Sequence, residues 1–305
     1  MNPHASQPLV SVAMPVRNCG KTLRAAIRSI LWQTYPHWEL LILDDGSTDE
    51  TAEIARSFAD PRIRVLADGV RRGLPVRLNE AISQSKGSYL ARMDGDDVAY
   101  PERLERQIRF LEGHPEMDLL GAGILVFRGE GQPRGTRTIF RTHAEICRRP
   151  WAGFYLPHPT WMAKTVWFRK YRYRSQAVRL EDQDLMLRAY QLSNFASLPD
   201  ILLAYREDSF SVRKALTTRY QFAKLLAREP LICGNNRLMA WRGMVEHLLK
   251  ATIELIAVGT GLTYKILWHR AKPVDEPTLN RWRQLWSELE HLEMPTRPVS
   301  EIAPR

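Results

Sequence analysis

Cysteine is scarce in this chain. Its 305 residues hold three, Cys19, Cys147 and Cys233, far apart and odd in number. That excludes a disulfide framework and a thiolate metal centre, and points to a reducing compartment. No GxGxxG follows the first apolar run, so the dinucleotide fingerprint is missing. The first loop, VRNCGKTL, has a single glycine. A nucleotide-sugar pyrophosphorylase would carry a Gly-rich phosphate loop there. The opening MNPHASQPLVSVAMPV has no basic stretch ahead of a long apolar run. A secretory signal is therefore not expected, and a cytoplasmic protein is. There is no internal repeat and no low-complexity tract. A clean run of about 20 apolar residues is also lacking. The most apolar stretch, residues 238 to 269, carries Arg242, Glu246, Lys250 and Glu254 at every fourth position and is broken by Gly259 and Gly261. It reads as a helix packed on the protein or lying in a membrane interface rather than spanning a bilayer.

Positive charge is abundant. The formal net charge is +10 and the isoelectric point about 9.7. Such a balance suits phosphates or an anionic membrane surface. The excess concentrates between Arg134 and Arg179, where Glu145 is the only carboxylate. That stretch is either a plain solvated face or a surface for a phosphate-bearing acceptor or anionic lipid heads.

The first 127 residues alternate regularly. Apolar runs at 9–16, 38–43, 62–66 and 88–93 read as strands. Between them, residues 21 to 34 place Leu23, Ile27, Ile30, Leu31 and Thr34 on one helical side. Short helices are expected over Thr51–Ala59 and from Leu74 to Ser85, and Pro101 opens another. Strand–helix alternation implies an α/β fold, a mostly parallel sheet flanked by helices. Residues 115 to 206 read as mixed strands with one helix beginning near Asp182, and the chain beyond 214 as helical. Ligands of such sheets bind beyond the carboxyl ends of the strands.

Two acidic groups fall at those ends: Asp44, Asp45 and Asp49 in DDGSTD, and Asp94, Asp96 and Asp97 in DGDD. Clustered carboxylates repel and need a compensating cation. Hard divalent ions, Mg2+ or Mn2+, take oxygen ligands and bridge carboxylates to substrate phosphates. Either motif alone could be a polar turn. Together they point to a nucleotide site.

The blocks VSVAMPVRN, LWQTYPHWELLILDDGSTDET, GSYLARMDGDD and EDQDLMLR, spread over residues 8 to 212, resemble the inverting family 2 glycosyltransferases of the GT-A fold, bacterial and non-processive in type. The resemblance implies a GT-A domain over 1–212 with a helical, membrane-associated region over 213–305. It implies transfer of a single sugar from a nucleotide-sugar donor, with a UDP-sugar expected, to a glycan or lipid-linked acceptor hydroxyl in cell-surface glycan synthesis. Pro15 and Arg17 would hold the nucleoside, and Asp45 would hydrogen-bond the base. Asp94 and Asp96 match the DxD pair, with Asp96 the direct metal ligand. Asp182 matches the catalytic base, beside Glu181. His158, in HPT, would border the acceptor, although a histidine between prolines also suits a structural turn. The residues Arg71-Arg72-Gly73 depart from the Asn common before that glycine. The processive QxxRW motif is missing, which argues for single additions.

The chemistry accords with that picture. Inverting transfer needs a base for the acceptor proton and a Lewis acid for the departing diphosphate. Asp182 is expected ionised, with an ordinary carboxylate pKa near 3.9. Glu181-Asp182 could equally be a plain helix cap. The tryptophans Trp151, Trp161 and Trp167 read as core. A pyrophosphorylase-like enzyme and a non-catalytic basic binding protein stand as alternatives. No nucleic acid is expected as a partner, and peripheral contact with an anionic membrane is.

Overall fold

The computed structural model describes residues 7–137, 139–208, 211–228, 237–260 and 272–291. Its centre is a nine-stranded sheet. Strands β1 (Val10–Val16), β2 (Trp38–Asp44), β3 (Ile63–Ala67) and β4 (Tyr89–Arg92) pair in parallel in the order β3-β2-β1-β4. Each is followed by a helix or by the acidic loop. The helices α1 (Leu23–Leu31), α2 (Thr51–Arg56) and α3 (Leu74–Gln84) are the connections. Beyond β4 the sheet turns mixed. β8 (Met162–Lys164) runs antiparallel to β4 and to β6 (Leu119–Arg128). β6 and β9 (Phe195–Arg206) are parallel, and β5 (Val98–Ala99) and β7 (Gln132–Thr136) are antiparallel additions.

Burial on both faces explains the unbroken apolar runs. Along β1, Ala13 faces one core, while Val10, Val12, Met14 and Val16 face the other. On β2, Leu41 and Leu43 share the first core, and Leu40 and Ile42 the second. Helix α1 buries Leu23, Ala26, Ile27 and Ile30, and it ends at Leu31, three residues before the expected stop. Pro36 lies just beyond and disfavours helix at Tyr35. The three tryptophans Trp151, Trp161 and Trp167 are core residues.

Helices α4 (Arg103–Gly113), α5 (His143–Ile146), α6 (Thr165–Lys170) and α7 (Glu181–Ala189) complete the first two thirds. Helix α7 starts one residue before Asp182. Two longer helices, α8 (Val212–Arg228) and α9 (Arg237–Gly259), follow, and α9 packs beside the Pro150–Ala152 turn. Helix α10 (Glu276–His291) returns to the sheet. Its Trp282, Leu285 and Leu289 close a third core over Val98, Tyr100, Leu125 and Phe127. Trp282 Nε1 donates to the Gly131 carbonyl at 2.7 Å, and an Arg28 guanidinium nitrogen donates to the Leu289 carbonyl at 2.7 Å.

Of the apolar stretch at 238–269, residues 261 to 269 lie outside the described ones. Within α9 the polar stripe turns inward or sideways. Glu254 and His247 are buried, and Glu246 pairs with Arg149 and Lys250. Among the described residues, no helix is long and apolar enough to cross a membrane.

Candidate active site

The DDGSTDET segment after β2 organises three loops. Asp44 accepts from the Ser47 amide at 3.2 Å and from its hydroxyl. Ser47 Oγ then accepts from the Asn18 amide at 3.0 Å, and Asn18 Oδ1 accepts from the Thr48 amide at 2.9 Å. Thr51 Oγ1 and Asp49 Oδ2 take the Cys19 and Gly20 amides at 2.7 and 3.0 Å. The loop after β1, which carries Pro15 and Arg17, is thereby pinned to the loop after β2. Asn18 itself sits at φ 52, a left-handed conformation that Asn tolerates.

Asp45 has a task within the fold beside the base contact that the resemblance implies. Its carboxylate accepts from the Arg72 amide at 2.6 Å, the Gly73 amide at 2.9 Å and Arg77 Nε at 3.3 Å. It fastens the third loop, the Arg71-Arg72-Gly73 segment, over the end of β2. Gly46 makes this close approach possible. It has φ 65, and a Cβ there would stand 2.9 Å from the Arg71 nitrogen.

At the end of β4, Asp94, Asp96 and Asp97 bring one carboxylate oxygen each to within 4.8 Å of one another. Gly95 lets this turn pack on β1, since a Cβ would meet Val16 Cγ1 at 2.5 Å. Burial and mutual repulsion push Asp96 up to about 6 and Asp97 well above the usual carboxylate range. Asp97 Oδ1 accepts from the Arg206 amide at 3.0 Å, whereas its Oδ2 is buried without a hydrogen-bond partner. The Arg206 side chain lies under the cluster. Its Nε donates to the Asp96 carbonyl at 3.1 Å, and its guanidinium stacks 4.6 Å from the Phe127 ring centre.

Buried cations balance these acids: Arg103, which is in the field of Asp97, and above all Arg92. Arg92 sits on β4 with 3% of its surface exposed and forks onto Asp94. Its positive field reaches Asp96, Asp97, Glu181 and Asp182 alike. It is a residue of this cluster that motif reading did not single out. The available signal was a lone charge inside the apolar run SYLARM. Asp97 as a potential ligand and Arg206 were missed too.

The second carboxylate pair opens α7. Leu180 is the N-cap and makes no side-chain cap bond, so Glu181 and Asp182 lie in the first turn without capping it. Burial, then the neighbouring Asp182 charge, pushes Glu181 up to about 7. Asp182 is also raised, chiefly by burial, while Gln183 and Arg92 work the other way. The ordinary pKa expected for Asp182 is therefore corrected: a helix start does not outweigh removal from water. Asp184 and Arg188 of the same motif are structural, paired at 3.0 Å. Gln183 ties α7 to the chain before it, accepting from the Phe154 amide at 2.7 Å and donating to Asp182 at 3.0 Å.

His158 lies in a 3-10 turn and is buried. Its Nε2 is 2.9 Å from the Tyr173 hydroxyl, and burial lowers its pKa well below the usual imidazole value, so it is neutral at pH 7. Tyr173 is held from both sides by Asn79 of α3, at 2.7 and 3.0 Å. His158 also lines, with Asp182 and Tyr155, a cavity of about 280 Å³. It merges through Arg137, Phe154 and Asp182 into a larger cleft of about 710 Å³ under α8 and α9. Beside Asp96, a cavity of about 570 Å³ bordered by Trp286 of α10 is lined by both signs of charge, Arg17, Lys21, Arg24, Arg28 and Arg206 with Asp49, Glu130 and Asp208.

Comparison with known proteins places this geometry. The pattern described as Glycosyl transferase family 2 matches residues 11–172. The putative glycosyltransferase EpsE of Bacillus subtilis (strain 168) is 38% identical over 229 residues, covering 68% of this chain and 77% of that protein. The O-antigen biosynthesis glycosyltransferase WbnJ of Escherichia coli is 30% identical over 255 residues, 81% of this chain and 97% of that one. Among solved structures, S. aureus TarS 1–349 in complex with UDP-GlcNAc has a TM-score of 0.61 at 18% identity, covering 92% of this chain and 80% of that one. The mannosyltransferase PcManGT of Pyrobaculum calidifontis, in complex with GDP-Man and Mn2+, has a TM-score of 0.57 at 17% identity over 94% and 86%. At those identities the likeness is one of fold, the GT-A architecture, while the sequence matches carry the family. The chain is a member of glycosyl transferase family 2.

Proposed function

We propose that this glycosyltransferase moves one sugar, with inversion, from a nucleotide-diphosphate sugar to an acceptor hydroxyl in cell-surface glycan synthesis. The observation that carries this reading is the arrangement around Arg92. One buried guanidinium stands in the field of two carboxylate groups, an acidic triplet after β4 and the Glu181-Asp182 pair on α7. The triplet suits the donor and the pair suits the acceptor. Family membership displaces the pyrophosphorylase and the non-catalytic binding protein as readings.

The donor's nucleoside is assigned to the first loop, Pro15 and Arg17, and to the Asp45-held third loop. A UDP-sugar is the donor we favour; TarS was solved with UDP-GlcNAc. The residues fit a hard divalent cation. The orphaned Asp97 Oδ2 lies within an all-oxygen set. Asp94, Asp96 and Asp97 would hold Mn2+ or Mg2+, which when bound supplies charge to stabilise the departing diphosphate. Arg206 and Arg17, which line the cavity beside Asp96, add fixed positive charge there. On the other side, Asp182 takes the proton from the acceptor hydroxyl. Burial makes it a stronger base than a solvated carboxylate, and Glu181 beside it holds or releases a second proton near neutrality. His158, neutral and fixed by Tyr173, shapes the acceptor wall.

The acceptor is a glycan or a lipid-linked sugar, and the enzyme works in peripheral contact with the cytoplasmic face of an anionic membrane. The exposed side of α9 supports this. Leu248, Leu249, Ile253, Leu255 and Ile256 face outward there, while Glu254 faces the protein. We keep residues 1–212 as the catalytic domain and 213–305 as the helical region serving this contact.

The test is donor turnover across a panel of nucleotide sugars with Mn2+. The parent should consume one donor in a metal-stimulated way, and Asp96→Ala should lose that stimulation while keeping its fold by circular dichroism. Full activity of Asp96→Ala in EDTA would remove the metal from the account.

A further inference from the structure

We propose that Arg179 anchors a phosphate group on the acceptor, and that the cleft beneath α8 and α9 takes an amphiphilic phosphate ester whose apolar part runs out along α9. This rests on the reading of the Asp182 cleft as the acceptor side. It adds the acceptor's chemical class and the residue that selects it.

The backbone is the first observation. Arg179 has φ 64, the left-handed region that favours glycine. It lies three residues before Asp182, in the turn closed by the Leu180 amide on the Ala177 carbonyl at 3.1 Å. A non-glycine residue in that conformation is locally costly, and such strain concentrates at functional sites. A glycine would relieve it, so the cost falls on whatever the guanidinium does.

Charge is the second. The cleft of about 710 Å³ is lined by Arg137, Arg179, Arg219 and Lys250 together with Asp182. Three of these cations are already paired: Arg137 with Glu207 at 2.8 Å, Arg219 with Glu254 at 2.9 Å and Lys250 with Glu246 at 2.7 Å. Arg179 is exposed and has no ion pair among the described residues. A planar guanidinium with free donors matches two phosphate oxygens at once.

The third observation is where the cleft leads. Ile253 lines it and is also 59% exposed on the outer face of α9, next to Leu249 and Ile256. Phe154 and Phe222 continue the apolar wall inward. An acceptor with a sugar at Asp182, a phosphate at Arg179 and a hydrocarbon tail over Ile253 would use all three. A soluble glycan would leave the apolar path empty.

The experiment uses the full chain with its donor site saturated by UDP and Mn2+. Farnesyl diphosphate is titrated in by calorimetry, with farnesol and inorganic diphosphate as controls. The parent should bind farnesyl diphosphate at least tenfold more tightly than either control. Arg179→Gly should weaken that binding at least tenfold while its melting temperature stays equal or rises, because the backbone strain is gone. Arg179→Lys should recover part of the affinity. Ile253→Asp should weaken farnesyl diphosphate and leave inorganic diphosphate unchanged. Equal binding by parent and Arg179→Gly, or no farnesyl diphosphate binding by the parent, overturns the proposal. Equal affinity for inorganic diphosphate removes the apolar half of it. Metal-stimulated donor turnover is read in parallel on UDP-free portions of the same preparations. If turnover persists while the binding result fails, only this inference falls, and if turnover is absent the underlying reading falls.

Discussion

Arg92 places its two terminal nitrogens on the two carboxylate oxygens of Asp94, each at 2.6 Å. The pair is the hinge of the site. Arg92 is buried at the end of β4, where it pairs with Ala13 of β1 on one side and its amide donates to the Trp161 carbonyl at 2.8 Å, just before β8, on the other. With the fully buried Arg103, which lies in the field of Asp97, it supplies positive charge beside an acidic triplet that would otherwise repel itself.

Removing that charge should therefore cost more than a surface ion pair would. Arg92→Met leaves buried carboxylates without their cation, a change worth about 3–5 kcal/mol. Arg92→Lys keeps the charge without the fork and should fall between. Urea unfolding without metal reads the loss, and added Mn2+ should return part of it to the Met variant. A Met variant as stable as the parent in EDTA would mean that Arg92 does not balance the cluster.

Asp45 offers a test of the loop assignment. Without its carboxylate the Arg72 and Gly73 amides lose their acceptor, at about 1–3 kcal/mol. Asp45→Ala should free the third loop, raise tryptic cleavage after Arg71 or Arg72, and weaken nucleotide binding at least tenfold. Nucleotide affinity equal to the parent would detach this loop from the donor site.

Glu181 makes stability depend on pH. Its usual value of 4.5 is raised to about 7 in the folded chain, first by burial and then by Asp182. A carboxyl raised on folding binds its proton more tightly in the native state. Stability is therefore lost as pH climbs from the unfolded value through the folded one. Glu181→Gln removes that loss, so it should be more stable than the parent by up to about 3 kcal/mol near pH 8, with the gap closing near pH 4. Urea unfolding at both pH values decides it, and a constant gap across the range contradicts the raised pKa.

The parallel half of the fold was legible because each element declares itself locally. Strands β1, β2 and β4 are short runs buried on two faces, β3 is a half-buried edge strand, and α1 and α3 carry a plain helical period. The other half depends on pairings distant in sequence. Nothing near Leu119 indicates that β6 lies parallel to β9, some eighty residues on, or that α10 joins the core of β5 and β6 through Trp282, Leu285 and Leu289. The site divides the same way. Acidic residues clustered in turns are visible as motifs, so Asp45, Asp94, Asp96 and Asp182 could be named. Arg92, Arg206 and Arg179 are three of many arginines, and what sets them apart is burial, stacking or a left-handed backbone. Asp182 was named in sequence, yet its raised pKa follows from burial that only the folded chain creates.

The central claim is that the chain carries out transfer with Asp182 as base, rather than only binding a nucleotide, and Asp182→Asn tests it most directly. The substitution keeps size and the contact with Gln183 but removes basicity. Nucleotide binding by calorimetry should stay near the parent's, while the transfer rate should fall by at least about a hundredfold. Transfer at the parent rate would contradict the account, and loss of nucleotide binding together with activity would move Asp182 to the donor side.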